Sequence, residues 1–130
     1  MSPTNKIESL EEINDYITSS LLVANSNFKA VCGDFNVNLD NNKKIGRRER
    51  NLMKNFMTKN NLVDSVDILR KNKEKLYTYV GEGKEKSRID YIFLSPNLLE
   101  DTTSSIEQKS ALLLNMDHNL QSVEINKDTK

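Results

Sequence analysis

Three groups of polar residues stand where apolar runs begin or end. Val31-Cys32-Gly33 runs into Asp34-Phe35-Asn36, Arg88 and Asp90 open a run that continues to Leu94, and Asp117-His118 precedes a last apolar stretch. Carboxylates hold hard cations through oxygen, an amide can donate to an oxyanion, and an imidazole moves protons near neutral pH. In a strand, residues two apart share a face, which would set Asp34 beside Asn36 and Arg88 beside Asp90. Gly33 would keep the backbone open to a ligand or another strand. Each group also has an ordinary reading: Asp and Asn often start turns, and a lone loop histidine is commonly a surface residue. Taken alone, the 31–36 segment favours the turn.

The elements that must position these groups follow from the apolar pattern. Ser9 and Glu12 fit a capping box, and Leu10, Ile13, Ile17 and Leu21 follow at spacings of three and four. A one-faced scaffold helix is therefore expected, with acidic residues in its first turn, after a frayed 1–5. Phe28 to Phe35 reads as a strand covered on both sides, with Cys32 as a buried thiol. A loop rich in Asn and Lys over 38–46 leads into a helix from Arg47 to about Asn60, with Leu52, Met53, Phe56 and Met57 inward. Arg47, Arg48 and Arg50 oppose the dipole of that helix, a local cost that hints at an anionic partner. Leu62-Val63-Asp64 exits into a polar turn, and 70–75 is a charged connector. Leu76 to Val80 and Arg88 to Leu94 read as the strands of a hairpin. Pro96 stops the ladder, a short weak strand lies near 105–109, and Leu120 to Ile125 forms the last strand.

The chain has 130 residues, the size of one domain, with frayed ends at about 1–5 and 126–130. No apolar run approaches the ~18 residues of a membrane span, and the N-terminus lacks the form of a signal peptide. The one cysteine cannot make an internal disulfide. An intracellular protein of nucleus or cytoplasm, neither secreted nor membrane-bound, is the expectation. Net charge is zero but unevenly spread: residues 1–40 carry 2 basic and 6 acidic side chains, residues 41–90 carry 14 and 7, and residues 91–130 carry 3 and 6. A basic middle between acidic flanks is either a polyanion-binding face or a solvated Lys-rich surface.

Gly33-Asp34-Phe35-Asn36, Ser87-Arg88-Ile89-Asp90-Tyr91-Ile92-Phe93 and Asp117-His118, in this order, resemble the C-terminal half of the endonuclease/exonuclease/phosphatase superfamily. The helix through Phe56, the Asn61-Leu62-Val63-Asp64 exit and Tyr77-Thr78-Tyr79 agree with it. Within that superfamily the chain is most similar to endonucleases of non-LTR retrotransposons, with apurinic/apyrimidinic endonucleases next, over about Leu10 to Ile125. The resemblance implies an α/β (α+β) sandwich: a partial DNase I-like four-layer fold, 1–130 being one partial domain with one mostly antiparallel sheet and two main helices. It implies hydrolysis of DNA phosphodiesters with Mg²⁺, Mn²⁺ being the alternative. Asp34 would orient or deprotonate the attacking water, and Asn36 would donate to the phosphate. His118 would contact the scissile phosphate with Asp90 fixing its tautomer, and Asp117 would lie at the metal. Arg88, Lys43, Lys44, Arg47 and Arg48 would hold flanking phosphates.

The N-terminal half of such proteins supplies an Asn and a Glu, the principal metal ligand, and neither has a counterpart in this chain. Met116 also stands where the family usually has a small Ser, so the hydroxyl at that position is lost. The isolated chain is therefore expected to be inactive, either as part of a retrotransposon-derived endonuclease or as a non-catalytic binding or complementing module. Its partner would be an N-terminal half-domain or a larger retroelement polyprotein. A phosphatase on another phosphoester is a further alternative.

Overall fold

The structure, a computed structural model, describes residues 3–69, 77–83, 85–108 and 120–125, with side chains described between Lys6 and Thr102. Helix α1 spans Pro3–Ala24. Proline suits a first helical turn because its φ is already helical and it has no N–H to leave unpaired. Ser9 consequently lies inside the helix, not at its cap, and the first turn holds no acidic residue. The apolar face also begins a turn earlier than the spacing from Leu10 suggests. Ile7, Leu10 and Asn14 are buried, Ile17 and Leu21 are half-buried, and Ile13 is exposed.

Helix α2 spans Arg47–Lys59 and buries Met53 and Phe56, as its pattern predicts, and Arg50 as well. Gly46 enters it with φ 83, a left-handed conformation that glycine adopts without a steric cost. Strand β1 (Ala30–Asp34) pairs with β5 (Asp90–Leu94), which also pairs with β2 (Val63–Asp64), giving the antiparallel order β1-β5-β2. Val31 lies opposite Phe93 and Gly33 opposite Tyr91. One core gathers Leu10, Val37, Met53, Phe56, Leu62, Tyr91 and Phe93. At its centre the Tyr91 and Phe93 rings stack at 5.2 Å, with Phe35 at 5.4 Å and Phe56 at 6.5 Å from Phe93. Burying each such side chain contributes about 1.5–3 kcal/mol, so this cluster fixes where both helices cross the sheet.

Strand β1 is not covered on both sides. Among the described residues it is an edge strand, and Ala30, Cys32, Gly33 and Asp34 are exposed, so the Cys32 thiol faces solvent. The expected 88–94 strand also divides. Short β3 (Tyr79–Val80) pairs with β4 (Lys86–Ser87), and only from Asp90 does the chain join the larger sheet. Thr78 explains the break: its buried hydroxyl accepts from the N–H groups of Ile89 and Asp90 at 3.0 and 3.1 Å, where a ladder carbonyl would otherwise stand. Beyond Asp64 a short helix α3 (Ser65–Leu69) replaces the expected turn, and α4 (Pro96–Glu100) follows β5. Strands β6 (Thr102–Gln108) and β7 (Leu120–Ile125) form a separate antiparallel pair, longer than the weak strand expected near 105–109. The architecture is α+β, with the two main helices on one face of a small antiparallel sheet. Among the described residues, no helix is long and apolar enough to cross a membrane. The 70–75 connector lies outside the described residues.

Candidate functional site

The end of β1 and the start of β5 meet residue for residue: Asp34 is the cross-strand partner of Asp90. Two carboxylates directly opposite on a sheet repel, so the pairing is unfavourable unless positive charge or donors compensate. Asp34 is exposed and Asp90 half-buried. Asn36 does not stand beside Asp34 on a strand face. Its φ is 54, and its backbone N–H donates to Asp34 Oδ1 at 2.9 Å, closing an Asx turn. Asparagine tolerates the left-handed region better than most residues, which explains why the strand turns there. The turn and the carboxylate–amide cluster are the same structure, because the turn carries Asn36 to the rim of a cavity with Asp34.

That cavity, of about 440 Å³, is lined by Asp34, Phe35, Asn36, Tyr79 and Ile89, and by Lys6, Ser9, Leu10 and Ile13 of α1. The first turns of α1 are thus a wall of the site as well as scaffold, a role not expected from the sequence. The signal was available: once the helix starts at Pro3, positions 6, 9, 10 and 13 fall on one face. Lys6 places a cation on the wall that shares the cavity with Asp34. A Cβ at Gly33 would meet no heavy atom within 4 Å, so the backbone beside Asp34 is open.

Arg88 corrects the expectation of a residue facing phosphates. It is 2% exposed, and both edges of its guanidinium are occupied. Nε and Nη2 donate to the two Asp40 carboxylate oxygens at 2.8 and 2.7 Å, and Nη1 donates to Asp64 Oδ2 at 2.6 Å. Its Cζ lies 4.9 Å from the centre of the Tyr91 ring. β5 begins only at Asp90, so strand alternation does not extend back to Arg88. Burial pushes the Asp64 carboxyl above its usual range, against the opposing pull of the Arg88 charge and hydrogen bond. Burial pulls Arg88 down, but its bonds to Asp40 and Asp64 outweigh that and hold it firmly protonated. The Tyr91 hydroxyl, buried, is shifted above its usual range. It accepts from Leu39 N–H at 2.8 Å and lies 2.6 Å from the Val37 carbonyl.

Lys43, Lys44, Arg47 and Arg48 are all exposed, on the loop before α2 and on its first turn. Arg50 is not part of this exposed set: it is buried and donates to the carbonyls of Ile45, at 3.0 Å, and Lys43. Asp117 and His118 lie outside the described residues. Among the described residues, no group of three or more His, Cys, Asp or Glu side chains could hold a metal ion by itself.

No protein-family model and no curated protein matches the sequence. Solved structures do match. A 3′ phosphatase, NExo, from Neisseria, solved with product DNA hairpin, superposes with a TM-score of 0.77 at 18% identity over 97% of this chain and 56% of its own. An AP endonuclease from Archaeoglobus fulgidus gives 0.75 at 20% identity over 95% of this chain and 55% of its own. An endonuclease/exonuclease/phosphatase family protein from Leptotrichia buccalis gives 0.56 at 24% identity, covering 83% and 40%. The chain spans little more than half the length of the first two, and its fold is that of a partial DNase I-like domain.

Proposed function

We propose that this chain, a partial DNase I-like domain by fold, is the C-terminal part of a divalent-metal-dependent phosphodiesterase that cuts DNA, of the kind non-LTR retrotransposons carry. The observation that carries the proposal is the cavity that Asp34 and Asn36 share with Lys6, with Asp90 the cross-strand partner of Asp34. Hydrolysing a phosphodiester requires an aligned water, positive charge against the non-bridging oxygens, and a group to assist the departing oxygen. The exposed carboxylate of Asp34 orients the water and accepts its proton, while the Asn36 amide, turned to the cavity rim, donates to a phosphate oxygen. Asp90 fixes the His118 tautomer and His118 contacts the scissile phosphate.

The donors suit Mg²⁺ or Mn²⁺: hard oxygens, and few of them, as Mg²⁺ keeps several waters and takes one or two carboxylates. Asp117 would lie at the ion, which when bound supplies charge against the phosphate oxygens. The exposed Lys43, Lys44, Arg47 and Arg48 contact flanking phosphates. The open face of β1, with Ala30 and Cys32 exposed, supports a second reading for the chain by itself: a module that binds DNA and completes its site with an N-terminal polypeptide. The salt dependence of duplex DNA binding tests the nucleic-acid assignment. With four exposed cations in contact, log K should fall with log salt with a slope of about −0.9 per phosphate neutralised. An affinity indifferent to salt would remove these contacts.

A further inference from the structure

We propose that Arg88 and Tyr91 are positioning residues for DNA contact, holding the 37–45 loop so that Lys43 and Lys44 are presented in one place. The inference rests on the reading of that loop as a phosphate contact.

The loop contains no helix or strand, and of its residues only Val37 is buried, so it has little apolar packing to shape it. It is instead fastened from the folded core. The Tyr91 hydroxyl takes the Leu39 N–H and meets the Val37 carbonyl, fixing the loop's first turn. Arg88 grips Asp40 with two parallel bonds of 2.8 and 2.7 Å, a fork geometry that sets direction as well as distance. Arg50 closes the far end on the carbonyls of Lys43 and Ile45. Within the loop, Asn41 Oδ1 accepts from Lys43 N–H at 2.8 Å. The anchors themselves are buried: Tyr91 and Arg88 are 1% and 2% exposed, and Asp64 holds the third guanidinium nitrogen from the core side.

A loop ordered in advance loses less freedom when DNA arrives, an advantage of roughly two- to tenfold in affinity if the ordering cost avoided is that of about one immobilised side chain. Charge alone predicts the opposite sign. Asp40 is an anion close in sequence to both lysines, and deleting it should strengthen binding to a polyanion if it acts only through its charge. If Asp40 is the handle by which Arg88 holds the loop, deleting it weakens binding.

The test is a fluorescence-anisotropy titration of a labelled DNA duplex with the full chain. Wild type is compared with Asp40→Ala, with the charge-neutral Tyr91→Phe, with Lys43→Ala plus Lys44→Ala, and with the lysine changes added to Asp40→Ala. Urea denaturation confirms that each variant is folded, and Tyr91→Phe carries the test if Asp40→Ala is not. The expected result is a two- to tenfold loss for Asp40→Ala and for Tyr91→Phe, with the lysine changes mattering less once Asp40 is gone. Tighter or unchanged binding by Asp40→Ala, or strictly additive losses, would overturn the positioning role. Lysine changes without effect in the wild type would instead remove the phosphate-contact reading, and with it any role for the clamp.

Discussion

Replacing Arg88 by methionine should be among the most damaging single changes in this chain, and its damage should depend on pH. Arg88 is 2% exposed and neutralises Asp64, whose side chain is 11% exposed, and Asp40, whose side chain is 38% exposed. The Asp40 bond, near solvent, contributes little to stability, within the range of about 0–1 kcal/mol for surface pairs. Asp64 is different: without Arg88 its carboxylate is left in the interior, and breaking such a pair costs roughly 3–5 kcal/mol. Against a typical stability of about 5–15 kcal/mol, this is a large fraction. Burial already raises the Asp64 pKa above 3.8 in the wild type. A raised folded-state pKa means a contribution fully present below the unfolded value and lost as pH rises through the folded one. Removing the Arg88 charge raises that folded value further, so the variant loses more than the wild type on going from acid to neutral pH. Urea unfolding at neutral pH and near pH 4 should therefore show a wide gap between the two proteins that narrows in acid. A loss below about 1 kcal/mol, typical of an exposed pair, would refute the reasoning. So would a gap that does not change with pH.

Two further outcomes follow from the packing. Phe93→Ala, at a side chain with 0% exposure on which three other rings converge, should cost about 3–5 kcal/mol in chemical denaturation; a loss under about 1 kcal/mol would mean this cluster is not the core. Cys32, exposed on the open face of β1, should react with a thiol reagent in the folded chain nearly as fast as in urea, and strong protection would show that this face is covered.

The second helix was legible because Leu52, Met53, Phe56 and Met57 repeat at a helical period, and β5 because aromatic and β-branched residues fill it. Ser9 and Glu12 imitate a cap inside α1, although the helix already runs from Pro3. A short apolar run such as Val31-Cys32 cannot reveal whether a strand is covered on one face or two; β1 proved to be an edge. The polar residues at the ends of β1 and β5 were visible, but not the register that sets Asp34 opposite Asp90. Nor could local pattern show that Arg88 is internal, since its partners Asp40 and Asp64 lie 48 and 24 residues away in sequence. Lys6 was hidden behind the late helix start.

The central claim, that Asp34 belongs to a phosphodiester-cleaving site completed by further polypeptide, is tested most directly by nicking of supercoiled plasmid with Mg²⁺. The chain by itself should not nick. The chain assembled with a DNase I-like N-terminal segment should, and Asp34→Ala should abolish that activity without preventing assembly. A demonstrably assembled complex that leaves the plasmid intact, or one that nicks equally well with Asp34→Ala, would contradict the account.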